Sequence, residues 1–193
     1  MNGQYEEILF MSASFDRYQI ALGTLGHWVI KVEKEGHIAD SLFDVLHEIL
    51  AACNFKNLTI FLLNGPGSTL GIRSLCAFVR TLIALEKITD SQVHVCDNLH
   101  FAYACLKQRM STKIPLICGR VNLSQVLCLD ASGCIRELRE CENEETIWLP
   151  HPCLSNEKTF VFDLDEISPI LKKHSPWYSS AKPDVFDYSK ITA

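Results

Sequence analysis

The sequence predicts an α/β fold, and three observations carry that expectation. Three short apolar runs follow one another with gaps too small to hold a helix. Apolar residues then change from strand-like to helical spacing over residues 37–53. Beyond that point strand-like and helix-like segments alternate as far as residue 109.

The first strand is Ile8 to Ser12. Arg17 to Leu22 and Trp28 to Glu33 follow, with Gly23 and Gly26 between them, so the three form an antiparallel meander. Next, Ile38, Leu42, Val45, Leu46, Ile49, Leu50 and Cys53 recur at helical spacing across His37 to Cys53. Ala39 and Phe43 widen this apolar arc to roughly 160°, where about 100° covers one sheet. Asp40, Ser41, Asp44, His47 and Glu48 form the wet side. The extra width calls for a second apolar neighbour.

Leu58 to Leu63 is the fourth strand, and a helix runs from about Leu70 to Lys87. Ile72, Leu75, Phe78, Val79, Leu82, Ile83 and Leu85 cover half of that helix. Ser74, Ala77, Thr81 and Ala84 lie opposite and are small, which lets another helix approach closely. A central buried helix fits this pattern, and is the simpler reading of the helix alone; a subunit interface fits it too. Val93 to Cys96 is the fifth strand and Leu99 to Arg109 a short helix.

The order β-β-β-α-β-α-β-α is that of the ribonuclease H-like fold, which also forms each lobe of the actin–Hsp70–sugar kinase (ASKHA) superfamily. Two lobes are expected: residues 1–110, and a reduced C-terminal lobe over 111–193. In the second, Ile114 to Cys118, Gln125 to Asp130 and Cys134 to Leu138 form a meander turning at Ser132-Gly133. Thr159 to Phe162 is a late strand, Asp165 to Lys173 a short helix, and the tail after Ser175 is irregular.

Composition limits the function classes. The 48% apolar and 21% charged content is that of a soluble globular protein. With a net charge of -5, the chain lacks the clustered Lys and Arg that phosphate contacts need, so RNA would need another subunit to hold it. Glu137 to Glu145 reads as an acidic, solvated loop. The nine cysteines contain no C-x-x-C pair, and the polar stretch Asn2 to Glu7 is no signal peptide. Reduced thiols, buried as small hydrophobes in the cytoplasm, are the expectation. No apolar run reaches membrane-spanning length.

The stretch Leu62 to Ser74, LLNGPGSTLGIRS, sits between a strand and a helix, as phosphate-binding loops do. A Walker A loop needs G-x-x-x-x-G-K-[ST]. Here Gly67 and Gly71 are separated by three residues, and Arg73 is not in the lysine position. A G-x-G-x-x-G loop fails because Leu70 takes its last position. What remains is a tight turn through Gly65, Pro66 and Gly67, with Ser68 or Thr69 capping the next helix. The helix amides also offer an anion site.

Other chemical groupings are sparse. Asp16 and Asp130 are strand-end acids that a phosphotransferase of this superfamily could use for metal, and both also read as turn residues. His47-Glu48 lacks the second histidine of H-E-x-x-H, which weighs against a metallopeptidase-like protein. His94 and His100 straddle a strand-to-helix turn and read as surface residues. Cys153 near His151 has no recognisable pattern around it, and reads as a thiol in a Pro-rich loop.

Gly65-Pro66-Gly67-Ser68-Thr69-Leu70-Gly71-Ile72-Arg73 resembles the G-P-G-S-F-T-G-[LVI]-R signature of the TsaB (YeaZ) family, matching seven of nine positions. Gly36-His37 looks like the family's E-H-T-type helix start. Cys118-Gly119-Arg120 with Gln125-Val126 looks like D-A-R-x-x-E-V, and Pro183 to Lys190 like its P-x-Y-L-R tail. The resemblance covers most of the chain, most closely up to about residue 130. Two departures stand out. Ser12 replaces the Asp of the family's first strand, and Cys118 replaces the Asp of D-A-R. Ser12 cannot serve Mg²⁺ as a carboxylate would, so the resemblance implies no phosphoryl chemistry by this chain.

The resemblance implies a non-catalytic subunit of the bacterial machinery that makes threonylcarbamoyladenosine beside the tRNA anticodon. It implies pairing with a larger paralogue, TsaD, which carries ATP and metal; no catalytic residue, metal or cofactor is expected on this chain alone. A TsaE-like ATPase is a further implied partner, and tRNA is met only through the complex. The apolar helix faces also leave open a homodimer when the paralogue is absent. The two helices of the first lobe should form the interface as a helical bundle. Its residues would be Ile38, Leu42, Phe43, Leu46 and Leu50 on one helix, with Ser74, Ala77, Phe78, Thr81 and Ala84 on the other. Gly65, Pro66, Gly67, Ser68, Gly71 and Arg73 make up the signature loop. The competing readings are an ASKHA-type nucleotide-binding phosphotransferase and a metallopeptidase-like protein.

Overall fold

A computed structural model describes residues 7–14, 17–35, 41–110, 115–121, 125–138, 146–149, 160–171 and 178–179. The strands β1 (Glu7–Ala13), β2 (Arg17–Thr24) and β3 (His27–Glu35) form the expected meander. Then come α1 (Leu42–Ala52), β4 (Leu58–Leu63), α2 (Thr69–Ala84), β5 (Val93–Cys96) and α3 (Asn98–Arg109). β4 runs parallel to β1 and β5 parallel to β4. A second sheet holds β6 (Leu116–Arg120), β7 (Val126–Leu129), β8 (Ile135–Leu138) and β9 (Thr146–Trp148). The short helix α4 (Ser168–Leu171) and the strand β10 (Tyr178–Ser179) complete the described elements.

The first sheet has the order β10-β5-β4-β1-β2-β3, and apolar residues cover both its faces. That explains why β1 and β4 read as continuous apolar runs rather than alternating ones. Leu9, Met11, Ile20, Ile60 and Leu62 point toward one face, under α1 and α2. Ile8, Phe10, Phe61 and Leu63 point to the other, where α3 supplies Leu99, Phe101, Ala102 and Cys105. Ile117, Leu127 and Leu129 of the second sheet join that same core. Helix α3 therefore lies between two sheets, buried on both sides. Phe101 ties the layers together, with its ring 5.6 Å from Phe10 and 4.9 Å from Phe162.

Residues 160–171 return across β2 and β3. Gln19 Nε2 donates to the Phe162 carbonyl (2.6 Å), Trp28 Nε1 to the Leu164 carbonyl (2.8 Å), and Lys31 pairs with Asp165 (2.9 Å).

Several boundaries differ from the sequence reading. Helix α2 stops at Ala84, not Lys87. Glu86 adopts a left-handed φ of 53°, and Lys87 N bonds back to the Leu82 carbonyl (2.9 Å), a helix-ending pattern. Helix α1 begins at Leu42, and the expected start at His37 lies outside the described residues. The strand β9 was not foreseen: three residues carry no period, and pairing parallel to β6 makes it a strand. The expected strand Thr159 to Phe162 is not one over its described part; Phe160 N makes one bond to the Trp148 carbonyl (2.7 Å). The expected helix Asp165 to Lys173 starts late, at Ser168, because Asp163 Oδ1 accepts from Asp165 N (2.9 Å) and holds a turn there; its expected end lies outside the described residues. The tail contributes a strand after all: Tyr178 and Ser179 pair with Val95 and His94.

The cysteines need one correction. Cys118 and Cys128 are joined as a disulfide, where reduced thiols were expected. They are direct partners across β6 and β7, so register brings them together. Among the described residues Cys53, Cys76, Cys96, Cys105 and Cys134 are free.

Candidate interface: the α1–α2 groove and the signature loop

Helices α1 and α2 pack side by side on the first sheet. Leu42, Val45, Leu46 and Ile49 of α1 are buried, as are Ile72, Leu75, Cys76, Val79 and Leu82 of α2. Both helices keep apolar side chains facing outward. Phe43 is 77% exposed and Leu50 is 38% exposed. Phe78 is half-buried, and Ala77, Thr81 and Ala84 are exposed. Helix α2 is therefore not the central buried helix that its pattern alone favoured.

Between the helices runs a groove of about 480 Å³. Leu42, Phe43, Leu46 and Leu50 line one side, and Ser74, Ala77, Phe78 and Thr81 the other. Leu42 and Leu46 form its floor and are committed to the core, at 2% and 5% exposure. Ala84 is exposed on α2 beyond the groove, and Ile38 lies outside the described residues. His47 also lines the groove. The helical pattern put it on the wet side, because a wheel cannot show where a neighbouring helix ends.

The signature loop leads from β4 into α2, and its first part is buried. Asn64, Gly65, Pro66 and Gly67 are all buried. Asn98 N donates to the Gly65 carbonyl, and Asn98 Nδ2 to the Pro66 carbonyl (2.5 Å). Gly65 has a φ of 132°, open only to glycine. A Cβ on Gly67 would collide with the Ala13 carbonyl oxygen of β1. A Cβ on Gly119 would lie 2.5 Å from Pro66 Cγ. The loop is thus a joint where β1, β6 and the start of α3 meet. Ser68 caps α2, its Oγ accepting from Gly71 N (3.2 Å). Gly71 is buried, and Arg73 is exposed on α2.

The remaining chemical candidates are dispersed. Ser12 is buried at the end of β1, opposite Gln19. Asp97, at the end of β5, is buried. Its Oδ1 caps α3 through His100 N (2.9 Å), and Oδ2 meets His100 Nδ1 (2.6 Å). That hydrogen bond to Asp97 raises the His100 pKa above its ordinary value. His94 instead stacks on Phe61, with ring centres 5.2 Å apart.

Asp130 holds the β7–β8 turn. Its carboxyl accepts from the Ser132 hydroxyl and from the N–H of Ser132 (2.9 Å) and Cys134 (3.2 Å), and pairs with Arg136 (3.0 Å). These bonds, the Ser132 hydroxyl foremost, hold its pKa below the usual carboxylate value. It is a turn residue, and Asp16, His151 and Cys153 lie outside the described residues.

Burial pushes the Cys53 thiol up to about 11 and the Cys105 thiol up to about 12, the reverse of an activated nucleophile. Among the described residues no three His, Cys, Asp or Glu side chains are grouped to hold a metal. Ser12 is neutral, and Asp97 and Asp130 are engaged as a helix cap and in a turn. No helix among them is long and apolar enough to cross a membrane.

No protein-family model and no curated protein matches this chain. Solved structures do. One is YeaZ from Pseudomonas aeruginosa, at 16% identity and a TM-score of 0.53, over 69% of this chain and 67% of that one. Another is an uncharacterized protein with similarity to peptidase YeaZ from Pseudomonas aeruginosa, at 16% identity and a TM-score of 0.54, over 74% of each chain. The chain has a mixed α/β, YeaZ-like fold.

Proposed function

We propose that this protein is a non-catalytic, TsaB-like subunit. It binds and supports a TsaD-like catalytic paralogue in threonylcarbamoylation of the tRNA adenosine next to the anticodon. The observation that carries the reading is the α1–α2 groove. A chain with a YeaZ-like fold keeps Phe43, Leu50, Phe78 and a strip of small residues facing outward from its two-helix layer. Helices of the partner fit such a strip closely, because Ser74, Ala77 and Thr81 leave room for backbone approach. In this reading ATP and metal belong to the partner, tRNA is met only through the complex, and the assembly works in the cytoplasm. The ribonuclease H-like lobe supplies the platform on which the two helices are set.

The signature loop supports the reading through what it does locally. Its buried glycines and the Ser68 cap orient α2. The test is co-purification. The tagged chain, expressed in its own cell, should recover a TsaD-like protein in stoichiometric amount. Repeated absence of that protein, with the chain itself folded, would sink the proposal.

A further inference from the structure

The outer face of the second sheet carries a small core of its own, made of Cys118, Val126, Cys128 and Trp148, with Leu116 beside them. The Arg120 guanidinium lies over the Trp148 ring, 5.6 Å from its centre. Cys118 faces Cys128 directly, between the pairs Ile117–Leu129 and Gly119–Leu127. The Cys118 carbonyl accepts from Leu149 N (2.8 Å), on the β9 side of the strand. Its backbone polar groups therefore point away from β7, and the cysteines occupy a non-hydrogen-bonded pair. At such pairs antiparallel strands bring side chains closest. Register alone sets the two sulfurs within bonding reach.

We propose that Cys118 and Cys128 are a reversible thiol–disulfide pair, a redox-controlled staple on the β6–β7 hairpin. One protein thiolate attacks a low-molecular-weight disulfide, forming a mixed disulfide and releasing one small thiol. The second protein thiolate attacks the protein sulfur of that mixed disulfide, closing the staple and releasing the other small thiol. The protein pair loses two protons and two electrons, and the small disulfide gains both. Cys118 and Cys128 are fully buried, so exchange proceeds through opening of the second sheet. The free thiols Cys76, Cys96 and Cys105 sit on α2, β5 and α3, and none faces a cysteine across a strand pair.

The staple adjoins the joint beneath the groove. Gly119 follows Cys118 and packs against Pro66, two residues ahead of the Ser68 cap of α2. A reduced hairpin that opens more readily loosens the support on which Pro66 rests. This inference does not depend on the partner reading, because its readouts need only the chain itself.

The experiment equilibrates the full chain in reduced and oxidised glutathione buffers, with mild denaturant to permit exchange. After acid quench, denaturation and alkylation, peptide mass spectrometry should find Cys118 linked to Cys128 in the oxidised sample and both alkylated in the reduced one. Hydrogen exchange at residues 117–119 and 126–129 should be about tenfold faster in the reduced protein, with β1 and β4 unchanged. The Cys118→Ala/Cys128→Ala variant should lose this redox dependence. Two alkylated thiols in the oxidised sample, or equal exchange in both states of the parent chain, would overturn the proposal.

Discussion

Ala77→Asp puts the proposed interface to a quantitative test. Ala77 is exposed midway along α2 and lines the groove, close to Phe78 and Thr81. In the free chain the new carboxylate stays in water. The folding cost is then only the helix-propensity difference, at most about 0.7 kcal/mol. In a complex that closes the groove, the same carboxylate is buried without a partner, which costs about 3–5 kcal/mol. Affinity should fall by roughly 10²-fold to several times 10³-fold. Titration calorimetry against the TsaD-like partner measures the loss, and thermal denaturation confirms that the variant folds. Val29→Asp is the control, since Val29 is 71% exposed on β3, away from the groove. An Ala77→Asp protein that melts normally and binds within about twofold of the parent would refute the reasoning; the expected loss is far larger.

Three further outcomes follow from the packing. Gly67→Ala should destabilise the fold by about 1–3 kcal/mol in urea titration, because the Cβ meets a β1 carbonyl that cannot turn aside. A loop with open space would show no loss. Phe101→Ala should cost about 3–5 kcal/mol in the same assay, since this inaccessible ring joins the first sheet to the returning segment. His100 should contribute pH-dependent stability. Its pKa is raised in the fold by Asp97, so the contribution is fully present below the unfolded value of about 6.5 and fades as pH rises through the folded value. The melting-temperature gap between parent and His100→Gln should be widest in acid and narrow in base; a gap independent of pH would contradict the Asp97–His100 pairing.

The first half of the fold was readable residue by residue. β1, β2 and β4 are runs buried on both faces, β3 is a half-exposed alternating edge strand, and α1 and α2 carry wide apolar arcs between clear turn signals. The groove was legible in the same way. Surplus apolar residues on two successive helices, beyond what one sheet can cover, leave apolar side chains exposed along a groove. His47 was missed because its place depends on how α2 lies against α1. β9 and β10 were missed because two or three residues carry no periodicity, and only the neighbouring strand makes them strands. The reduced-thiol expectation failed at Cys118 and Cys128, which are ten residues apart in sequence and opposed only once β6 and β7 pair.

The glycine loop divides the same way. The motif spacing by itself ruled out a Walker loop, placed the turn between strand and helix, and marked Ser68 as a cap. The amino-acid order could do this because turns, caps and periodicity are local, set by residues within a few positions of one another. Only the tertiary structure decided why Gly67 and Gly119 must be glycine, which side chains floor the groove and which remain outside, and which cysteines meet. Those answers depend on atoms far apart in the chain: the Ala13 carbonyl meets Gly67 when β1 pairs with β4, and Pro66 meets Gly119 when the second sheet packs on α3.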